Sequence, residues 1–281
     1  MAATVFITGC SSGLGAASAR LFAERGWNVV ATMRDVAAGA ELVALDNVLL
    51  VRLDVQDRCS IDAAVATGIE RFGRIDALIN NAGFGLHGVF ESTPREKVLE
   101  QFEVNVFGVM DVTRAILPHF RANKAGSIVN VSSGAGVFTL PMISLYCSSK
   151  FALEGFSEAL TYELAPLGIT MKIVEPGGVA DTNFGVRSGN EAGKTSAPTD
   201  YYAFVEATQK IFGQLRGAPL ASQDDVAEVI FQATTDGTDR LRYVATEDIK
   251  PLVTARREGS EDLYIKLMRD HFMGAPASRR P

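Results

Sequence analysis

Cysteine, histidine and long apolar runs are all scarce in this chain, and each scarcity closes off a class of protein. Only three cysteines and three histidines stand among 281 residues. Cys10, Cys59 and Cys147 show neither a Cys-x-x-Cys spacing nor an accompanying histidine cluster, so no disulfide framework and no metal site are expected, only reduced, buried thiols. No stretch approaches the roughly 18–20 consecutive apolar residues of a membrane-spanning helix. Between Met1 and the strand-like run Thr4-Val5-Phe6-Ile7-Thr8 there is no room for the basic and apolar regions of a secretion leader, so a soluble, cytoplasmic protein is expected. A basic face is missing as well. The net charge is −6 and the pI about 5.2, which argues against a nucleic-acid partner.

What is present is an alternation. Short apolar β-type runs at 5–8, 28–32, 48–53, 77–80, 127–131 and 170–175 are separated by helical patterns at 13–24, 60–72, 95–121, 144–167, 201–215, 223–234 and 247–269. Continuous apolar strands alternating with helices imply a parallel sheet covered on both faces. Right-handed crossovers then give a doubly wound, Rossmann-type α/β sheet with ligand outside the carboxyl ends of its strands. With 47% hydrophobic residues the chain can bury one substantial core. One domain is expected over residues 1–245, followed by a C-terminal helical extension and frayed tail over 246–281. Residues 187–198 lack periodicity and are rich in turn formers, which suggests a lid loop at about 184–200 over the substrate.

After the first strand the sequence reads Thr8-Gly9-Cys10-Ser11-Ser12-Gly13-Leu14-Gly15. Gly9, Gly13 and Gly15 allow a sharp turn and a close ligand approach, while the following helix aims free N–H groups and its positive dipole end at a pyrophosphate. A strand before and a helix after are the context a dinucleotide-binding turn requires, and Ser11, Ser12 and Leu14 complete its candidate contacts. The second strand ends Thr32-Met33-Arg34-Asp35. Counting from the turn, Met33 stands where a carboxylate would meet the ribose of NAD. Arg34 can instead pair with a 2′-phosphate, which favours NADP(H) over NAD(H). The competing reading leaves Arg34 a solvated cation and gives the ribose to Asp35.

Further along, Tyr146-Cys147-Ser148-Ser149-Lys150 puts a tyrosine and a lysine four residues apart, hence on one face of a helix. An ammonium near a phenol favours the phenolate, and a positioned phenol can give and recover a proton. Ser133, which ends the run Ser127-Ile128-Val129-Asn130-Val131-Ser132-Ser133, can donate a hydrogen bond to a substrate oxygen as charge develops there. Asn81, Ala82 and Gly83, after the fourth strand, lie at the sheet's carboxyl edge, where they suit an adenosine ribose.

Taken in order, these motifs resemble the short-chain dehydrogenase/reductase family from Thr4 to about Tyr243. The resemblance implies a hydride-transferring oxidoreductase in which Tyr146 is the acid–base group and Ser133, rather than Ser132, binds the substrate oxygen. It further implies that Lys150 contacts the nicotinamide ribose and that Asn105 anchors a water relaying protons to the lysine. Asp54, with Val55, corresponds to an adenine-contacting pair, and Pro176, Gly177, Val179 and Thr182 to the segment holding the nicotinamide end. Within the family the turn and the second strand are similar to the hydroxysteroid and retinol branches, which implies a lipophilic ketone or alcohol. His87, Phe84, Phe138, Leu140, Met142 and Phe184 are candidates for its wall. The helices at 95–121 and 144–167 carry more apolar residues than one buried stripe needs, which fits a homodimer or homotetramer; coverage of both faces within one chain is the other reading. Two rival classes remain, a regulatory protein that senses NADP(H) without turnover and a sugar-nucleotide epimerase or dehydratase.

Overall fold

The computed structural model describes residues 2–180, 197–216 and 220–273. Seven strands, β1 (Thr4–Thr8), β2 (Asn28–Met33), β3 (Val48–Arg52), β4 (Ala77–Asn80), β5 (Gly126–Val131), β6 (Ile169–Glu175) and β7 (Arg242–Val244), form one all-parallel sheet in the order β3-β2-β1-β4-β5-β6-β7. Strand order reverses between β1 and β4, the position at which doubly wound sheets open a ligand crevice. Nine α-helices are described: α1 (Gly13–Glu24), α2 (Arg58–Phe72), α3 (Arg95–Phe102), α4 (Gly108–Asn123), α5 (Ser144–Leu164), α6 (Tyr202–Arg216), α7 (Gln223–Thr235), α8 (Lys250–Glu258) and α9 (Glu261–Phe272).

Alternate residues of each strand feed two cores. Val5, Ile7, Val29, Ala31, Ile79 and Val129 meet Ala19 and Phe22 of α1 and Val226 and Ile230 of α7. Phe6, Val30, Leu78 and Ile128 face the other way, onto Ile61 of α2, Val112, Ile116 and Phe120 of α4 and Leu160 of α5. Each such fully buried side chain contributes roughly 1.5–3 kcal/mol against its exposed state. The Rossmann-type expectation is met, as one domain with C-terminal helices.

Four local departures have physical causes. The helix expected over 95–121 is broken by a π-helical segment, Glu103–Phe107, between α3 and α4. The extension is two helices, because Gly259 ends α8 and Ser260 caps α9 by accepting from Leu263 N at 3.3 Å. Strand β7 is only three residues long and begins with an arginine, so no apolar run announces it. Cys59 is exposed on the first turn of α2, whereas Cys10 and Cys147 are buried as expected; all three are free. Thr182, Phe184, the lid residues 184–196 and the tail 274–281 lie outside the described residues.

Inside the sheet a polar thread crosses the apolar layers. Asn80 Nδ2 donates to Asn130 Oδ1 (2.9 Å) and Thr113 Oγ1 (3.1 Å), and Asn130 Nδ2 donates to Ser157 Oγ at 2.8 Å. It ties β4 and β5 to α4 and α5, so the helix bearing Tyr146 is held to the centre of the sheet. Among the described residues no helix is long and apolar enough to cross a membrane.

Candidate active site

The β1–α1 turn is built by hydrogen bonds from the far side of the strand-order reversal. Thr8 Oγ1 accepts from Asn81 N and Ala82 N, both at 3.0 Å, and Asn81 Nδ2 donates to Thr8 O (2.9 Å) and Gly9 O (3.1 Å). Cys10 N donates to Thr32 O at 2.9 Å, which fastens the turn to β2. Gly9 has φ +76°, and a β-carbon there would come 2.9 Å from Ala82 Cα; one on Gly15 would run into Gly9 O and Asn81 Nδ2. Asn81 is therefore spent on shaping the turn, and Ala82 packs beneath it, while Gly83 is exposed.

Gly13, at φ +61°, faces open space. The N-cap Ser12 makes no side-chain capping bond and no acidic residue stands in the first turn of α1. Its end N–H groups are thus left to a ligand, and the local field favours an anion. A diphosphate fits this cradle, with Ser11 exposed and Ser12, Gly13 and Leu14 half-buried beside it.

At the end of β2 the three neighbours separate. Met33 is 3% exposed and tucks under Gly39. Asp35 caps the 3₁₀ segment Val36–Leu42 by accepting from Ala37 N at 3.0 Å. Arg34 is exposed, with no ion pair among the described residues. Beyond β3, Asp54 closes its own loop by accepting from Gln56 N at 3.1 Å, and Val55 packs against Gly108.

Ser133, Tyr146 and Lys150 meet at the carboxyl end of β5. Tyr146 and Lys150 lie on successive turns of α5 and are 9% and 6% exposed. The hydroxyls of Ser133 and Tyr146 are hydrogen-bonded, and Ser133 Oγ also accepts from Ala135 N at 3.1 Å. Ser132 is turned away and buried. The expected lowering of the phenol by the lysine is not what the structure holds. Lys150 Nζ stands 5.8 Å from the Tyr146 ring centroid and donates to Val131 O at 2.8 Å. Burial pushes the phenol up to about 12, against the pull of Ser133, and burial brings the lysine down to about 8. Spacing shows that the two groups share a face, but not how little water reaches them.

Asn105 sits in the π segment, and its side chain is fully engaged. Its Oδ1 accepts from Phe84 N at 3.0 Å, while Nδ2 donates to Phe84 O (2.8 Å) and Ser149 Oγ (3.1 Å). It thereby clamps the β4–α3 loop to α5, and both amide hydrogens are used on protein atoms. Gln101, one turn earlier, repeats the clamp by accepting from Leu86 N at 2.8 Å and donating to Phe84 O at 2.5 Å. The polar pair Gln101 and Asn105 on an otherwise buried helix face was the signal for it.

Pro176 O accepts from Gly134 N at 2.8 Å, joining the loops after β5 and β6. Gly177 N donates to Thr246 Oγ1 (2.9 Å) and Gly178 N to Asp248 Oδ2 (2.8 Å), so residues just after β7 hold this segment. Val179 bridges to Ala221. Of the expected substrate wall, Phe84 and Phe138 prove to be core, each 2% exposed, the latter packed with Ile249, Val253 and Tyr264 of the extension. His87, Leu140 and Met142 are half-buried. Phe212 of α6 lies 6.0 Å from the His87 ring and 6.3 Å from Phe272 of α9.

A dinucleotide cradle at the sheet's strand-order reversal, with a serine–tyrosine–lysine cluster at the end of the fifth strand, defines a class of oxidoreductase. The family model described as short chain dehydrogenase matches residues 3–192, and the chain belongs to that family, whose members bind a nicotinamide cofactor and act on CH–OH or C=O groups. An uncharacterised oxidoreductase of Schizosaccharomyces pombe is 43% identical over 83% of this chain and 96% of its own. Human 17-beta-hydroxysteroid dehydrogenase type 1 is 33% identical over 97% of this chain and 87% of its own. The crystal structure of a short-chain dehydrogenase from Streptomyces avermitilis superposes with a TM-score of 0.81 at 33% identity, covering 96% of this chain and 97% of the other.

The buried lysine yields a stability prediction. With a folded-state value near 8 against 10.5 for the free group, the fold carries the full cost of the buried charge below about pH 8. Between there and 10.5 the unfolded chain holds a proton that the native chain lacks, so stability rises with pH. Lys150→Met should therefore be more stable than the natural chain at pH 7, by about 1–3 kcal/mol, with the gap closing above pH 8. Thermal melts from pH 6 to 10 that ran parallel would disprove it.

Proposed function

We propose that the protein is an NADP(H)-dependent oxidoreductase that moves a hydride between nicotinamide and a lipophilic ketone or secondary alcohol. The observation that carries this reading is the meeting of Ser133, Tyr146 and Lys150 beside the β1–α1 cradle. When bound, the nicotinamide supplies or takes up the hydride. In the reducing direction Tyr146, whose raised value keeps it protonated at neutral pH, donates its proton to the oxygen of the former carbonyl. Ser133 donates a hydrogen bond to that oxygen as it gains charge. Lys150 faces the phenolate left on Tyr146 and stabilises it electrostatically. Asn105 acts by holding the loop before α3 against α5, so that the tyrosine does not drift.

The remaining contacts divide along the cofactor. Gly9, Ser11, Ser12, Gly13, Leu14 and Gly15 cradle the diphosphate, with Asn81 behind them. Asp54 and Val55 border the adenine, and Ala82 and Gly83 its ribose. Pro176, Gly177 and Val179 line the nicotinamide end. Arg34 reads the 2′-phosphate. Its exposure and the absence of an ion pair among the described residues support this, as does the engagement of the rival carboxylate of Asp35 in capping.

His87, Leu140, Met142 and Phe212, together with the extension after residue 245, surround the substrate, and similarity to a human steroid dehydrogenase supports a large apolar one. A second copy of the chain completes the particle. Leu99, Phe107, Phe151 and Tyr162 on α3, the π segment and α5 remain exposed, whereas Leu153, Leu160 and Leu164 are taken into the core.

Three measurements bear on these readings. Across a panel of lipophilic ketones, aldehydes and quinones the purified protein should oxidise NADPH, and Tyr146→Phe should bind NADPH normally but turn over at least about 100-fold more slowly. Tight NADPH binding without turnover on the whole panel would favour a cofactor sensor. Arg34→Ala should weaken NADPH about 10-fold or more while sparing NADH, as loss of a charge-assisted pair implies; equal losses would place the 2′-phosphate elsewhere. In sedimentation velocity the chain should run as a dimer or tetramer, and Phe107→Glu should shift it towards the monomer. A monomer in the natural chain removes the oligomer.

A further inference from the structure

Behind Lys150 the charges form a ladder that leaves the site. Glu154 stands one turn further along α5, so that Tyr146, Lys150 and Glu154 occupy one stripe of the helix, and it is 7% exposed. Its Oε2 accepts from Arg242 Nε of β7 at 3.0 Å, and Arg242 Nη2 donates onward to Glu158 at 2.5 Å. Arg242 Nε also lies 3.6 Å from Glu175, the wholly buried last residue of β6. Arg257 of α8 closes the ladder, donating to the two Glu175 oxygens at 3.1 and 2.5 Å. Charges of alternating sign, Glu154 and Glu175 buried and the arginines reaching solvent, thus run from the C-terminal extension through β6 and β7 to the helix of the site.

The other end of Glu154 is dry. Its Oε1 is buried and faces the equally buried Ser132 Oγ, whose hydroxyl draws the carboxyl down. Both border one space, since a β-carbon on Gly136 would meet Ser132 Oγ at 2.8 Å, Glu154 Cγ at 3.0 Å and the Lys150 carbonyl at 3.2 Å. A carboxylate withdrawn from solvent keeps a strong local negative potential, because little water screens it. The cation on its own stripe is Lys150, which among the described residues has no carboxylate within ion-pair distance and donates to the neutral carbonyl of Val131.

We propose that Glu154 is a positioning residue for the reaction assigned above. Its buried carboxylate, fixed by Arg242, keeps the Lys150 ammonium charged and facing Tyr146. The proposal rests on the reductase reading for its consequence but not for its test. The groups facing Glu154 are Arg242 from β7, Glu175 from β6, Ser132 after β5, and Lys150 and Glu158 from its own helix. Burial and Glu175 push Glu154 up while Ser132 and Arg242 draw it back, and Glu154 opposes the downward pull of burial on Lys150.

The test is a titration of Lys150 by NMR on protein carrying ¹³C-labelled lysine, its signal assigned by disappearance in Lys150→Met. Glu154→Gln keeps the volume and an acceptor for Arg242 but removes the charge. The Lys150 midpoint should fall by about half a pH unit or more, a roughly threefold drop in the ratio of ammonium to amine. Glu154→Asp should lie between Gln and the natural chain, and it still reads the effect if the Gln variant fails to fold. Glu158→Gln, which removes an exposed carboxylate from the same arginine, should leave the midpoint in place. In turnover, the pH profile of kcat should move with the Lys150 midpoint while KM for the cofactor stays. An unmoved midpoint in a folded Glu154→Gln, or an equal displacement by Glu158→Gln, would overturn the proposal. Because the titration needs no substrate, a natural chain without carbonyl turnover would fail the reductase reading and still leave the role of Glu154 to be decided by the midpoint.

Discussion

An ammonium group enclosed by protein is the constraint around which this site is arranged. Water would solvate Lys150 far better than the carbonyl of Val131 does, so the fold must supply the difference through packing on both faces of the sheet. The polar thread through Asn80, Asn130 and Ser157 keeps α5 seated while that cost is carried. Tyr146 shares the same dry environment, which holds its proton on. The pair is therefore poised as a protonated acid beside a cation that deprotonates readily, a different arrangement from an exposed lysine sharpening an exposed phenol.

Much of this was readable along the chain, and what was not follows a rule. Six strands and the helix from Gly13 to Glu24 were legible because each buries a continuous run or stripe, and burial leaves a periodic mark. Tyr146 with Lys150 was legible because four residues are one turn. The π segment around Asn105 carries the same apolar pattern as an α-helix and was invisible. Thr246, Asp248, Arg257 and Phe212 act across large sequence separations, on partners that no local spacing reveals. Phe84 and Phe138 were misplaced for a related reason: an aromatic in a loop looks the same whether it lines a cleft or fills the core beneath one. The direction of the Tyr146 shift was misjudged because proximity can be counted in residues and desolvation cannot.

The C-terminal extension emerges as part of the site's framework. Thr246 and Asp248 hold the Pro-Gly-Gly segment, Ile249, Val253 and Tyr264 cover Phe138, and Arg257 neutralises the buried Glu175. Tyr264 OH accepts from Thr139 N at 3.2 Å. Each contact reaches a strand end or a loop at the carboxyl edge of the sheet, so the extension braces the same edge that carries Ser133.

The π segment between α3 and α4 makes this surface helix a register device. A π turn holds one residue more than the α-helix would, and each residue of an α-helix turns the chain by about 100°. Deleting a single residue anywhere in Glu103–Phe107 would let the helix run straight, but it would also swing α3 through slightly more than a right angle about its axis relative to α4. Gln101 would then leave Leu86, and the β4–α3 loop would lose its hold on α5. A stretch that looks tolerant of length change, being helical and partly exposed, therefore counts its residues as strictly as a strand inside the sheet.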